Sequence, residues 1–149
     1  MGMEPDFQQV LRGLHLKSTP KRIALLEILD RERVYLSPEG IWKKMKKRFP
    51  SIGLPTIYRN LDELHEGGVV SRVIHPDRKL YYYLCRNGEH HHHFICISCR
   101  KVEDINFCAR KDIEKIVNGD IKGRVLSHIL QINGLCSSCI NEEGAARGH

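Results

Sequence analysis

Two Cys-x-x-Cys pairs, Cys96/Cys99 and Cys136/Cys139, constrain the fold of this 149-residue chain more than any other feature of its sequence. Each pair can present two thiolates to one metal ion, and together they supply the four sulfur ligands of a closed tetrahedral zinc site. Redox-active pairs are the alternative, but no thioredoxin-like βαβ pattern accompanies these cysteines. We therefore expect a structural zinc site in the second half of the chain.

The 36 residues between the two pairs are enough for a small subdomain. Their pattern predicts a strand at 101–105, a helix near 109–117 and a strand at 124–132. A zinc ion held by four cysteines has no open position for water, and no nucleophile–base pair or catalytic carboxylate pair stands out. We therefore expect neither an enzyme nor a small-molecule substrate.

Four consecutive histidines directly precede the first cysteine pair, in 90-HHHHFIC, a pattern that predicts a strand. Because side chains alternate across a strand, His91 and His93 should share one face, and His90 and His92 the other. Four adjacent histidines in that geometry serve two metal sites more easily than one. The run is internal and continues into the cysteine pair, so we do not interpret it as a purification tag.

Two further cysteines belong to neither pair. Cys85 lies six residues before His91, and two interpretations stay open: a small buried apolar residue, or a third ligand beside His91 and His93. Cys108 has no evident partner in the sequence and is interpreted as a packing residue. In a cytosolic setting thiols stay reduced, which favours metal binding over disulfides.

The charge is unevenly distributed along the chain. Residues 1–84 carry 15 Lys/Arg and 10 Asp/Glu, a net charge of +5, whereas residues 85–149 carry 9 and 8, a net charge of +1. A basic first half is compatible with nucleic-acid binding but is weak evidence alone, because many solvated helix faces are basic. Neither a bilayer-spanning run nor a secretory signal is evident, so we expect a cytoplasmic protein without a membrane partner.

The first half predicts three helices followed by a β-hairpin. Thr19-Pro20, Ser37-Pro38 and Pro55 each mark the start of a helix. Two segments rich in β-branched and aromatic residues, 69–75 and 79–84, flank a turn and predict the two hairpin strands. Helices followed by a hairpin in this order are typical of a winged helix-turn-helix, although similar units occur in proteins that do not bind DNA.

The third predicted helix carries the candidate DNA-binding residues. Its apolar stripe should face the core, and four polar residues near its N-terminus project away from that stripe: Thr56, Tyr58, Arg59 and Asn60. A helix that enters the major groove contacts base edges with its N-terminal residues. Arg59 can pair bidentately with guanine, and Tyr58 can contact a thymine methyl group.

The motifs TPKR, PTIYRNL, HHHHFICISCRKVEDI and GLCSSC occur in an order that resembles the ferric uptake regulator superfamily of bacterial metal-dependent repressors, over about residues 7–141. The resemblance implies an α+β fold: an N-terminal winged helix-turn-helix at 1–84, a hinge at 85–90, and a C-terminal α/β dimerisation domain with an antiparallel sheet at 91–149. It also implies a cytoplasmic homodimer that binds a palindromic, AT-rich operator in double-stranded DNA when its regulatory metal is bound.

The resemblance assigns roles to individual residues. Tyr58 and Arg59 match the family's base-contacting pair, and Lys17 matches a lysine that enters the minor groove. The structural zinc ligands match Cys96, Cys99, Cys136 and Cys139. The hinge regulatory site matches His91 and His93, and the zinc-sensing members match Cys85 as a third ligand. The resemblance supplies no fourth ligand, which Asp104, Glu103 or water could provide. A second C-terminal site matches His90, His92 and His128.

Departures from the family pattern favour the zinc uptake regulator branch. Iron- and peroxide-sensing members usually have a histidine at the position of Tyr35 and a carboxylate at that of Cys85. A thiolate beside two imidazoles suits Zn²⁺, whereas an oxygen-rich site suits Fe²⁺ or Mn²⁺. An aspartate that is a fourth ligand in some zinc members aligns with Ser71, and the second site's glutamate aligns with Lys111, where Asp112 or Glu114 could substitute.

Three functions remain in competition. The first is a zinc-responsive repressor of metal uptake genes, with Zn²⁺ at both the structural and the regulatory site. The second is an iron-responsive or peroxide-sensing repressor of the same family, with Fe²⁺ or Mn²⁺ at the regulatory site. The third, outside the family, is a zinc storage protein or metallochaperone, in which the histidines would simply buffer metal.

Overall fold

The computed structural model describes residues 5–86 and 89–147, and it divides the chain into two compact units, Met1–Arg86 and Asn87–His149. Two residues of the predicted hinge, Asn87 and Gly88, lie outside the described residues. Within the described part, no helix combines the length and the apolar character that crossing a membrane requires.

The first unit begins with four helices: α1 (Phe7–Gly13), α2 (Pro20–Glu32), α3 (Pro38–Met45) and α4 (Leu54–Glu66). The predicted helix starts are confirmed. The Thr19 hydroxyl accepts a hydrogen bond from the Arg22 N–H at 3.2 Å, and the Ser37 hydroxyl accepts one from the Gly40 N–H at 3.0 Å. Each bond satisfies a backbone donor that the first turn of a helix leaves unpaired. Helix α1 was not predicted; its N-cap is Asp6.

The core of the first unit lies between these helices and a β-hairpin. Ile57, Leu61 and Leu64 of α4 have no exposed side-chain surface, as their helical spacing predicts. They pack with apolar residues of α2 and α3, such as Leu25 and Ile41, in one cluster. Burying side chains of this size contributes roughly 1.5–3 kcal/mol each. The buried stripe fixes which face of α4 is left outward.

The hairpin consists of antiparallel strands β1 (Val70–Ile74) and β2 (Leu80–Leu84), with Val70 opposite Leu84 and Ile74 opposite Leu80. Arg78, in the connecting turn, has a left-handed φ of 69°. A bridge between Leu36 and Tyr82, with two backbone hydrogen bonds of 2.8 Å, ties β2 to the segment before α3. The winged helix-turn-helix prediction is therefore confirmed.

The second unit contains a three-stranded sheet in the order β4-β3-β5, formed by β3 (His92–Cys96), β4 (Val102–Ile105) and β5 (Gln131–Gly134). Strand β4 pairs antiparallel with β3, and β5 pairs parallel with it. Helix α5 (Arg110–Ile116) continues into a π-helical turn (Val117–Ile121), and α6 (Ser137–Arg147) follows the second cysteine pair. The α+β class is confirmed, but the sheet expected to be antiparallel is mixed, because β5 runs parallel to β3.

The predicted strand at 124–132 is mostly wrong. Only its end forms β5, and residues 122–130 have no regular structure. Leu126 and Ile129 there are 80% and 89% exposed. Alternating apolar residues predict a strand only when a neighbouring surface covers the apolar face, and within the described residues no such surface covers these two side chains.

Candidate metal centres and nucleic-acid interface

The four cysteines of the two pairs converge in the second unit. Cys96 ends β3 and Cys136 immediately precedes α6, so the sheet and the helix each present one pair. The four sulfurs lie within 4.8 Å of one another, and those of Cys99 and Cys136 are 3.6 Å apart. A tetrahedral zinc ion with Zn–S bonds of about 2.3 Å separates its sulfur ligands by about 3.8 Å. The cluster therefore has the dimensions of a tetrathiolate zinc site.

The surroundings of Cys96 favour its thiolate form. Burial raises the pKa of this thiol, but backbone N–H groups of Cys136, Cys99 and Ser98 donate to the sulfur and outweigh burial, lowering the pKa to about 6. The N–H groups of Cys99 and Cys136 lie 3.5 and 3.4 Å from it. Since metal binding requires deprotonated sulfur, these donors prepare the site for a cation.

A second cluster contains His90, His92, His128 and Cys108. The Cys108 sulfur lies 3.3 Å from Nε2 of both His90 and His128, and Nε2 of His128 lies 3.1 Å from that of His92. The sequence expectation that Cys108 lacks partners is therefore wrong. Among the described residues, this cluster includes neither Asp112 nor Glu114; Glu114 instead accepts from Arg110 at 2.7 Å.

The third arrangement places His91 and His93 beside Asp104. Their Nε2 atoms are 2.9 Å apart and lie 3.6 and 3.5 Å from Asp104 Oδ1. The register of the sheet explains this, because His93 lies opposite Asp104 on β4. His91 Nδ1 lies 2.6 Å from the Glu89 carbonyl oxygen. A donor at that nitrogen leaves Nε2 with its lone pair, as a metal ligand needs.

Two histidines, one from each group, have pKa values below the ordinary value of an imidazole. Burial lowers the pKa of His92, and the neighbouring His128 and His90 lower it further. Burial also lowers the pKa of His93, with His91 acting in the same direction and Asp104 opposing. Neutral imidazole is the form that coordinates a metal. The alternating faces predicted for the histidine run thus correspond to two separate groups of ligand atoms.

Cys85 belongs to the first unit. It directly follows β2, is partly buried, and its backbone N–H donates to the Val69 carbonyl oxygen at 3.2 Å. Glu103, the other predicted candidate for a fourth regulatory ligand, pairs instead with Lys101, whose Nζ lies 2.6 Å from its carboxylate.

The outward face of α4 presents the candidate DNA-binding residues. Tyr58 and Arg59 are exposed, and Thr56 is partly exposed beside them. The Tyr58 hydroxyl donates to Glu39 of α3 at 2.9 Å, and this hydrogen bond raises the pKa of Tyr58. The bond orients the ring while leaving its face accessible. Aromatic and guanidinium groups side by side at a helix N-terminus can contact bases in the major groove.

A buried guanidinium joins α4 to the loop that carries Lys17. Arg22 is 9% exposed; its Nε donates to Asn60 Oδ1 at 3.1 Å, and its Nη1 donates to the Lys17 carbonyl oxygen at 3.3 Å. It also forms an ion pair with Glu63. Lys17 itself is exposed at the rim of a groove shared with Arg59. Sequence reasoning missed Arg22, although its place in TPKR, within a stripe of apolar residues, marked it as unusual.

Comparisons with known proteins agree with these features. The model of the ferric uptake regulator family matches residues 14–133. The ferric uptake regulation protein of Bacillus subtilis is 33% identical over 95% of this chain and 99% of its own length. The peroxide operon regulator of the same organism is 27% identical over 91% and 92%.

Solved structures show the same fold. The Vibrio cholerae ferric uptake regulator is 29% identical with a TM-score of 0.59, covering 88% of this chain and all of its own. A zinc uptake regulator in complex with zinc and DNA is 22% identical with a TM-score of 0.77, covering 93% of each chain. Its low identity limits that likeness to the fold. With the family model matching most of its length, the chain belongs to the ferric uptake regulator family of metal-dependent transcription regulators, which are not enzymes.

Proposed function

We propose that this protein is a zinc-responsive repressor of metal uptake genes, acting in the cytoplasm as a homodimer on a palindromic operator. The observation that carries the zinc assignment is the environment of Tyr35. Its side chain is fully buried, with ring centroids 5.1 Å from Tyr81 and 5.9 Å from His75. The resemblance puts a histidine at this position in most iron and peroxide sensors, and here that position is part of an aromatic core.

The ligands that remain available favour zinc. His91 and His93 supply two imidazole nitrogens with a carboxylate oxygen of Asp104 nearby, and the sequence supplies the Cys85 thiol six residues upstream of His91. Two nitrogens, one sulfur and one oxygen form a four-coordinate set that suits Zn²⁺, whereas Fe²⁺ and Mn²⁺ prefer more oxygen ligands and higher coordination. We therefore assign Cys85, His91, His93 and Asp104 to the regulatory site and the four paired cysteines to structural zinc.

Operator binding is assigned to the first unit. Tyr58 and Arg59 would contact base edges, with Thr56 and Asn60 beside them, while Lys17 would enter the adjacent minor groove. In the structure Asn60 accepts from Arg22, so its contribution is to hold α4 in place as much as to contact DNA. Phosphate contacts would supply much of the affinity, which should then fall steeply with salt.

The second unit supports a homodimer. Its described surface exposes several large apolar side chains that a soluble monomer would ordinarily cover: Phe107, Ile113, Ile116, Ile121, Leu126 and Ile129. An accumulation of this kind marks an interaction surface. A second copy of the chain is the partner that the resemblance implies, and a two-fold dimer places two recognition helices on successive major grooves.

Regulation would then be a shift between populations. The residues 85–90 form the proposed hinge, and Cys85 and the two histidines lie at its two ends. A zinc ion shared between them would favour the spacing of winged helices that fits the operator. The ion shifts the equilibrium only by the difference in its affinity for the two arrangements.

An iron-responsive function is the second candidate, and one observation favours it. Asp104 adds an oxygen to the two histidine nitrogens, and a set of two histidines with one carboxylate also suits Fe²⁺. The relatives named for ferric uptake regulation point the same way. The two candidates differ in the role of Cys85, which is a ligand for zinc in the first and dispensable in the second.

The test starts from operators selected out of a random duplex library with the full-length protein. Binding to a selected operator is then titrated anaerobically with buffered Zn²⁺, Fe²⁺ and Mn²⁺, with metal content measured per protomer. We expect trace Zn²⁺ to induce binding, and Cys85→Ala to abolish the induction while its structural zinc remains. Cys85→Asp should shift the response toward Fe²⁺ or Mn²⁺. Activation by Fe²⁺ but not by trace Zn²⁺ would overturn the zinc assignment. Metal binding by the protein without operator binding would favour a zinc storage protein.

A further inference from the structure

We propose that Cys108 is the fourth ligand of the second histidine cluster, so that His90, His92, Cys108 and His128 form a closed site for one Zn²⁺ ion. The proposal deepens the metal chemistry of the proposed repressor. It concerns a ligand that the family pattern does not supply, because the position where the resemblance expects a glutamate is Lys111. The missing ligand is instead a thiol from the loop before α5.

The geometry of the cluster fits one small cation. Zinc with bonds of about 2.0–2.1 Å to nitrogen and 2.3 Å to sulfur separates tetrahedral ligand atoms by about 3.3–3.6 Å. The contacts in the cluster measure 3.1 Å between Nε2 of His92 and His128, and 3.3 Å from the Cys108 sulfur to each of two Nε2 atoms. All three histidines present the same ring nitrogen to a common centre.

The elements of the second unit explain why these residues meet. His92 begins β3, where its side chain lies on the face opposite His93 and is 5% exposed. Cys108 lies in the loop between β4 and α5, and His128 lies in the irregular segment before β5. Four ligands therefore come from three separate segments. A metal ion at their centre would tie the irregular segment to the sheet.

The change from carboxylate to thiolate alters which metal the site prefers. A set of three imidazoles and one carboxylate accepts several divalent ions, whereas three imidazoles and a thiolate favour a borderline-soft ion in tetrahedral coordination. Zn²⁺ fits that description, and the thiolate also balances half of its charge. His92 is buried, so the site is closed on that side, while the exposed His90 leaves a route for the ion to enter.

The experiment uses full-length protein with zinc retained at the four-cysteine site and the other sites emptied by a mild chelator. The Cys85→Ala background removes the only other thiol proposed as a ligand outside the paired cysteines. Co²⁺ is then titrated as a spectroscopic probe. We expect tetrahedral ligand-field bands in the visible region together with a sulfur-to-cobalt charge-transfer band, saturating with the equivalent that occupies the second cluster.

Substitutions identify the sulfur. Adding Cys108→Ala should remove the charge-transfer band and weaken Zn²⁺ binding at this site by at least about tenfold, as loss of even an outer-shell group does at other zinc sites. Cys108→Asp should remove the same band but retain metal binding, and His128→Ala should reduce both. A charge-transfer band that survives Cys108→Ala, or Zn²⁺ affinity unchanged by it, would overturn the proposal.

Different results would contradict the proposed repressor function and the proposed Cys108 site. A protein that binds cobalt through Cys108 but never binds an operator would contradict the proposed repressor and leave this site intact. A protein that responds to zinc on its operator, with no spectral change at Cys108, would contradict this site alone.

Discussion

Arg22 Nε and Asn60 Oδ1 are joined by a 3.1 Å hydrogen bond between α2 and α4, at a position where the guanidinium is almost completely buried. The same guanidinium reaches the Lys17 carbonyl oxygen and pairs with Glu63. One side chain thus fixes both the helix that carries Arg59 and the loop that carries Lys17. Hydrogen bonds within the chain therefore set the relative position of the two proposed DNA contacts before any DNA is bound.

Replacing this guanidinium should affect stability and DNA binding together. We expect Arg22→Ala to destabilise the first unit by about 1–3 kcal/mol, because it leaves partly buried acceptors without their donor; the 40% exposure of the Glu63 side chain keeps the ion-pair part small. Urea denaturation measures the loss. Arg31→Ala, an exposed arginine on the same helix, serves as the control and should stay within about 0.5 kcal/mol of the parent. Equal effects for the two variants would contradict the positioning role.

Substitutions of the two proposed DNA contacts should differ in their effects on base preference and on the salt dependence of operator binding. Arg59→Ala should cost about 1–3 kcal/mol on the best operator and relax the preference at one base pair, because a bidentate base contact is lost. Lys17→Ala removes a positive charge from the minor groove, so it should weaken binding without changing the preference at the base pair that Arg59 contacts, and it should reduce the salt slope by about 1. Titrations at several salt concentrations on matched and single-mismatch duplexes measure both. A uniform loss for Arg59→Ala would show that it contacts phosphate only.

Loss of the four-cysteine site should unfold the second unit selectively. Cys136→Ser removes a buried ligand from the four-cysteine cluster, and structural zinc contributes roughly 10–16 kcal/mol in small zinc domains. The first unit has its own apolar core and should remain folded. Limited proteolysis should therefore release a resistant fragment close to residues 1–86, with dimerisation lost. Ser138→Ala, between the same two cysteines, should change neither zinc content nor the protease pattern.

The metal-free histidine clusters should make stability depend on pH. Burial lowers the pKa values of His92 and His93 below the ordinary 6.5, so below that pH the unfolded chain binds more protons than the folded chain. Stability therefore falls as the pH decreases from about 6.5 through the folded-state pKa values. Thermal unfolding of protein with zinc kept only at the cysteines measures this. His92→Gln should flatten the dependence, and His15→Asn, at an exposed histidine of the first unit, should not.

Local signals predicted the first unit well. The caps Thr19 and Ser37 depend on contacts three residues away, and the stripe on α4 depends on helical spacing alone. The division of the histidine run into two faces follows from the pleat of a single strand. Such features are encoded within a few residues, so a sequence is sufficient to predict them.

Features that depend on contacts between distant residues were harder to predict from the sequence. Cys108 reaches its imidazole partners across 18 and 20 residues, through a loop whose path depends on the packing of β4 and α5. Arg22 is 38 residues from Asn60. The segment 122–130 has a strand-like pattern but remains irregular in the single chain, because its apolar residues have no surface to cover them within the described part. In each case the deciding partner lies outside any local window.

The histidines of strand β3 do not by themselves set the register of the strand. A slip by one residue would still leave histidine at three of the four ligand positions supplied by the run, so the histidines alone cannot distinguish correct pairing from incorrect pairing. The same slip would move Ile95 out of its fully buried position and carry Cys96 away from the other sulfurs. The burial of Ile95 and the four-cysteine cluster at the end of β3 therefore align the strand, and a metal ion held by the four sulfurs would fix the register on which both histidine groups depend.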